Sequence, residues 1–227
     1  MNDRHDVFAQ YLAAVRAAID AIEATQLPLI RDAAARFAAT IKKGRLVHVF
    51  GTGHSRMAVE EMFPRYGSFP GFHPIVELSM TYHNAVVGAN GQRQAMFLEN
   101  VQGFGAVVWR NFATSPDDSL LAISTSGCNA VTIDVALEAK RLGMGVAALT
   151  SLAHAEVSTS RHESGHKLHQ IADVVLDQQA PAGDSAVWVE GLETPVAPLS
   201  RGFGFCRPDR AVPNRVPRIR PSVNTSP

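Results

Sequence analysis

Three short, nearly unbroken apolar runs, each ending in a turn of hydroxylated residues and two of them with glycine there as well, restrict this chain to a narrow set of folds. Leu46-Val47-His48-Val49-Phe50 runs into Gly51-Thr52-Gly53-His54-Ser55, and Leu120-Leu121-Ala122-Ile123 runs into Ser124-Thr125-Ser126-Gly127. Val146-Ala147-Ala148-Leu149 leads in the same way into Thr150-Ser151. A strand that is apolar on both faces is buried on both faces, which calls for a parallel sheet covered by helices. Helical periodicity follows the second run through Val131, Val135, Leu137 and Leu142. A further helical stretch, around His166 to Ile171, precedes another apolar run at Val174-Val175-Leu176. Pro74-Ile75-Val76-Glu77-Leu78 reads as an additional strand, and Met80 to Gly103 as a loop plus a helix bordering the same crevice. Alternating strands and helices predict an α/β fold, a three-layer α/β/α sandwich with a flavodoxin-like parallel sheet. Sites in such sheets lie outside the carboxyl ends of the strands, where all three polar turns fall.

Ahead of the first strand, Val7, Tyr11, Leu12, Val15, Ile19 and Ile22 recur at three- and four-residue intervals and predict a helix from Asp6 to Thr25. Pro28 suits the first turn of a second helix, with a stripe at Ile30, Ala34, Phe37 and Ile41 and a stop at Gly44. The expectation is an N-terminal helical hairpin over residues 6–43, inside one large domain over residues 1–200. At 227 residues and 46% hydrophobic content the chain has enough material for that core.

Composition excludes several function classes. No apolar run approaches the roughly 18 to 20 residues that cross a bilayer, and the polar start Met1-Asn2-Asp3-Arg4-His5-Asp6 is unlike a signal peptide, so a cytoplasmic protein without membrane contact is expected. Cys128 and Cys206 are the only cysteines and no His-Glu-x-x-His pair occurs, so neither a disulfide framework nor a metal is expected. The formal charge is zero, yet residues 201–227 hold six Arg and one Asp. That tail has no Lys, aromatic platform or recognisable motif for nucleic acid, and no nucleic-acid partner is expected.

A phosphate needs several donors converging on its oxygens, and a helix start supplies unpaired backbone N–H groups at the positive end of its dipole. Ser124, Thr125, Ser126 and Asn129 add side-chain groups, and Gly127 removes a side chain where the backbone must come close. The same residues also describe an ordinary N-cap with a serine-rich turn. Gly51, Gly53 and Ser55 place a second such turn at another strand end, which favours the phosphate reading. No third glycine follows Gly53 at dinucleotide spacing and no Gly-Lys-Ser/Thr occurs, so no nicotinamide or other cofactor is expected.

Two hydroxyl-bearing turns at successive strand ends resemble the signature loops of the SIS (sugar isomerase) domain superfamily. The residues that carry the likeness are Phe50 to Ser55 with Glu60-Glu61-Met62-Phe63, and Ile123 to Asn129. Ser158-Thr159-Ser160-Arg161-His162-Glu163-Ser164-Gly165, Ala172 to Asp177 and Gly183-Asp184 further resemble one bacterial SIS subfamily. The resemblance spans roughly residues 6–200. It implies a phosphorylated sugar as ligand, phosphate contacts at Ser55, Ser124, Ser126 and Asn129, and a homodimer or homotetramer with sites near subunit boundaries.

Isomerising, epimerising or eliminating beside a sugar carbonyl needs a base for the adjacent proton and an acid for an oxygen. Glu61 is the expected base; its place resembles the catalytic glutamate of phosphoheptose isomerase and of the N-acetylmuramic acid 6-phosphate etherase, at a shorter spacing from the serine. His54, His83 and His162 are the expected acids or substrate contacts, and Arg161 either meets a phosphate or sits in a surface ion pair. Cys128, with no base beside it, reads as a small filler. The expected activity is that of an isomerase, epimerase or dehydratase-type lyase on a hexose or amino-sugar phosphate, with N-acetylglucosamine 6-phosphate favoured. The alternative is a sugar-phosphate-sensing module without catalysis. SIS relatives are expected to continue beyond Ser200 with a long apolar helix, whereas prolines 213, 217 and 221 forbid one here. Residues 201–227 therefore read as a disordered tail or a frame-shifted one.

Overall fold

The computed structural model describes residues 6–81 and 88–200. His83 and the tail over 201–227 lie outside these, so the expectations placed on them go no further. Five parallel strands form one sheet, β1 (Val47–Gly51), β2 (Phe72–Ile75), β3 (Ser119–Ile123), β4 (Gly145–Thr150) and β5 (Val174–Asp177), in the order β2-β1-β3-β4-β5. That is the flavodoxin-like order, with its switch point between β1 and β3.

The helices are α1 (Val7–Lys42), α2 (Arg56–Glu60), α3 (Gln92–Leu98), α4 (Phe104–Trp109), α5 (Ala130–Arg141), α6 (Leu152–Val157) and α7 (Leu168–Ile171). Because successive strand residues face opposite ways, each apolar run feeds both layers. Phe50, Leu120, Ala122, Val146 and Ala148 pack with Val108 and Trp109 of α4 and Val131 and Val135 of α5. Val47, Val49, Leu121, Ile123 and Ala147 pack with Ala33 and Phe37 of α1 and Val59 of α2. Each such Val, Leu, Ile or Phe contributes about 1.5–3 kcal/mol when fully buried, which is why these runs admit so few polar residues.

The N-terminal hairpin is corrected to a single helix. α1 runs 36 residues with Pro28 inside it. A proline in a helix interior costs about 3 kcal/mol, and tertiary contacts on both sides offset it here. Ala18, with Tyr11, Val15 and Ile22 around it, packs on Ala180 and Leu199, while the second half of the helix covers the sheet. Gln26, two residues before the proline, accepts from the Asp177 N–H at 2.9 Å and ties the helix to β5. Thr25-Gln26-Leu27 also lacks the Gly, Asn or Asp that a tight interhelical turn uses.

The second strand begins earlier than expected, at Phe72, and it pairs with β1 alone. Pro74 sits in it because an edge strand has one side without a ladder partner. Helix α4 was not foreseen; it packs so closely that a Cβ on Gly105 would lie 2.4 Å from the Val131 carbonyl oxygen and 2.5 Å from Asp134 Cβ.

Candidate active site

Both signature turns open into one crevice of about 720 Å³ at the carboxyl ends of β1 and β3. The first turn leaves β1 at Gly51, where a Cβ would stand 3.0 Å from the Ile123 carbonyl oxygen and 3.1 Å from that of Ser55. Only glycine lets these strand ends close together. Gly53 follows with φ +55°, and a 3₁₀ turn over Gly53–Ser55 feeds α2.

In the second turn, carbonyl groups are consumed by the neighbouring elements. The Thr125 oxygen accepts from Thr150 Oγ1 at 3.2 Å and from the Ser151 N–H at 3.0 Å, and the Gly127 oxygen from the Leu168 N–H at 2.8 Å. Ser124 Oγ accepts from the Gly127 N–H at 3.2 Å, and Ser126 Oγ from that of Cys128 at 3.3 Å. Among the described residues, nothing accepts from the backbone N–H groups of Thr125, Ser126, Asn129 or Ala130. The last two open α5, whose dipole favours negative charge at this end. Gly127 holds φ +64°, with Thr150 Oγ1 3.1 Å from where a Cβ would stand.

Of the expected site residues, Gly53, His54, Ser55, Glu61, Ser124, Thr125, Ser126 and Asn129 line this crevice, while Gly51 and Gly127 shape the turns behind it. His162 does not line it. Its Nδ1 accepts from the Ser164 N–H at 3.1 Å, so Nε2 carries the proton, and Nε2 meets Asp134 Oδ1 at 3.0 Å. A buried imidazole with both nitrogens engaged anchors its loop to α5 and has no open face for a ligand. Glu61 sits at the C-terminal end of α2 and pairs with Arg65. Its neighbour Glu60 pairs with Arg56, Nε to Oε1 3.2 Å.

The carboxylate best placed for chemistry is one that motif reasoning passed over. Glu99 ends α3 in the crevice, and its Oε2 accepts from Thr52 Oγ1 at 3.0 Å. Burial pushes its carboxyl above the usual carboxylate range, against the opposing pull of the Thr52 hydroxyl, the Arg161 charge and the Asn129 amide. The Val131 N–H donates to the Glu99 carbonyl at 3.1 Å and locks the end of α3 to the start of α5. A signal existed: Glu99 is the sole acidic residue between Met80 and Gly103, in a segment already placed beside the crevice.

Arg161, His154 and Asp184 also line the crevice. His154 Nδ1 accepts from the Gly183 N–H at 2.9 Å, which leaves the ring proton on Nε2. Cys128 donates its thiol hydrogen to the Ser126 carbonyl at 3.1 Å, and burial pushes the thiol up, away from the thiolate that a nucleophile needs. Among the described residues no group of three or more His, Cys, Asp or Glu side chains is arranged for a metal ion, and no helix is long and apolar enough to cross a membrane.

Comparison with known proteins agrees with this geometry. The SIS domain family model matches residues 10–151. A UPF0309 protein of Oceanobacillus iheyensis is 34% identical over 195 residues, covering 86% of this chain and 77% of its own. One from Thermoanaerobacter pseudethanolicus is 33% identical, covering 84% and 76%. The structure of a phosphoheptose isomerase from Francisella tularensis superposes with a TM-score of 0.53 at 22% identity, over 76% of this chain and 83% of the other. A Neisseria gonorrhoeae phosphoheptose isomerase gives 0.51 at 21% identity, over 75% and 83%. At that identity the last two show a shared fold.

Proposed function

The chain belongs to the SIS domain family, and from that premise we propose that it binds a phosphorylated sugar in the crevice and moves a proton beside the sugar carbonyl. The observation that carries this reading is the meeting, in one crevice, of the unclaimed N–H groups of the Ser124–Ala130 turn with the Glu99 carboxyl. The turn supplies what a phosphate needs, and a carboxyl raised towards neutrality is suited to taking a proton from carbon and returning it. A volume of about 720 Å³ accommodates a hexose or amino-sugar phosphate.

In this mechanism Ser55, Ser124, Ser126 and Asn129 surround the phosphate, and the sugar carbonyl end lies towards Glu99. Glu99 removes the proton adjacent to the carbonyl. A donor such as His54 covers the oxygen on which charge develops, giving an enediol. Protonation at the neighbouring carbon isomerises the sugar, protonation on the opposite face epimerises it, and loss of a β-oxygen substituent completes an elimination. Glu61, held by Arg65 at the end of α2, serves better as a rim residue than as the base. The exposed apolar positions Phe8, Leu12 and Ile19 on α1 support association of copies into a dimer or tetramer.

The test is a panel of hexose and N-acetylhexosamine 6-phosphates, N-acetylglucosamine 6-phosphate included, incubated with the full chain in D₂O and followed by proton NMR. Loss of the C2 proton signal, with or without a new sugar, is the expected result. Saturable binding without exchange or product would convert the reading to a sensing module.

A further inference from the structure

The charge balance of the crevice singles out one side chain. Among the described residues its lining holds four carboxylates, Glu60, Glu61, Glu99 and Asp184, against one permanent cation, Arg161. Glu60 and Glu61 are matched by Arg56 and Arg65. Asp184 accepts from the N–H groups of Leu199 at 3.1 Å and Ser200 at 2.8 Å. Among the described residues no arginine forms an ion pair with Glu99, Arg93 of α3 included, and Arg161 is the cation whose charge acts on it.

The backbone around Arg161 is clamped while its head is not. Its N–H donates to the Cys128 carbonyl at 2.9 Å, and its carbonyl accepts from Gln102 Nε2. The same Gln102 carboxamide accepts from the Glu163 N–H at 3.1 Å, and buried His162 fixes the loop to Asp134. The exposed guanidinium meets Asn129 Oδ1, a neutral acceptor at the N-cap of α5. A guanidinium presents five N–H donors, and among the described residues that oxygen is the one side-chain acceptor it meets. An anion offers the planar, charge-assisted pairing that a neutral amide oxygen does not.

We propose that Arg161 is the specificity-determining cation of this crevice: an anionic ligand draws its guanidinium away from Asn129 and into a charge-assisted pairing at the start of α5. The inference rests on the sugar-phosphate reading and names the residue that recognises the ligand's charged end. The titratable or charged groups lining the crevice are His54, Glu60, Glu61, Glu99, His154, Arg161 and Asp184. Of these, only Arg161 both contacts the N-cap of α5 and carries a permanent charge.

Inorganic sulfate is the probe, because it is a dianion that does not itself titrate near pH 6. Titration calorimetry of the full chain reads the affinity. The wild-type chain is expected to bind sulfate saturably. Arg161→Gln should weaken binding about tenfold or more, the loss of one charge-assisted contact, and Arg161→Lys should restore part of it. Unweakened binding by Arg161→Gln overturns the inference while leaving the sugar-phosphate reading standing. Failure of the wild-type chain to bind sulfate overturns both.

Discussion

Thr52 Oγ1 donates to Glu99 Oε2 at 3.0 Å, so the turn leaving β1 holds in place a carboxylate that arrives from a helix 47 residues later. Glu99→Gln keeps the shape and an acceptor for Thr52 but cannot carry a proton. Turnover in the sugar-phosphate panel should fall by about 10²–10⁴, the usual contribution of a positioned base, with ligand binding retained. Glu61→Gln should retain far more activity; equal losses in the two variants would return the base role to Glu61.

The same carboxyl makes a stability prediction. Its pKa in the folded chain lies above the unfolded value, chiefly through burial. Folding therefore favours the protonated form, and stability is lost as pH rises through the folded pKa. Glu99→Gln should melt at a higher temperature than wild type at pH 8, and the gap should narrow at pH 4.5. Thermal melts at the two pH values read this directly.

Beneath the opposite end of the sheet, His48 Nδ1 meets His73 Nδ1 at 2.9 Å, and His48 Nε2 meets Asp118 at 3.3 Å. Burial lowers the pKa of both histidines from the usual 6.5. Their neutral forms are favoured in the folded state, so stability is present above pH 6.5 and lost as pH falls below it. Asp118, held low by Leu46, Arg45 and His48 despite its burial, adds its own loss only further into acid, below 3.8. Urea denaturation at pH 7.5 and pH 5 should show a clear drop for wild type and a shallower one for His73→Asn.

Gly105 does not line the crevice, yet among the described glycines it is the one where an added Cβ would meet the closest contact. A Cβ there collides with the Val131 carbonyl and Asp134 Cβ, neither of which is the loose end of a long side chain. It also disturbs the 3.1 Å bond from the Gly105 N–H to Asp134 Oδ2, and Asp134 is the anchor of His162. Gly105→Ala should cost about 1–3 kcal/mol or more, the usual range for overpacking, as measured by chemical denaturation. A variant as stable as wild type would show that α4 can shift off α5.

His162→Asn separates an anchoring role from a catalytic one. It should lower stability by about 1–3 kcal/mol, because Asp134 then keeps a poorer buried partner. The pH profile of any turnover should keep its shape, whereas loss of one limb would mark His162 as an acid after all.

The sheet was legible because burial on both faces leaves a local trace: runs such as Leu120 to Ile123 have no polar position, and the period changes sharply at the following turn. The two signature turns were legible for a similar reason, since Gly51, Gly53 and Gly127 occupy places where a Cβ would meet a neighbour or a positive φ is required. The continuity of α1 left no such trace. Pro28 is locally a helix start, and it is the packing of Ala18 on Ala180 and Leu199, with Phe37 on the sheet, that holds both halves in line.

The sequence by itself determined the parallel sheet, the position of its polar turns and the family to which they belong, because each is written in residues adjacent along the chain. Tertiary structure decided which charged groups meet there. Glu61 reads as the base from its place after the first turn and from the family resemblance, and folding pairs it with Arg65, four residues on. Glu99 looked like an unremarkable helix end until folding brought Thr52, Asn129 and Arg161 around it. Burial and the sum of nearby charges fix what a carboxylate can do, and both depend on segments that the chain places far apart.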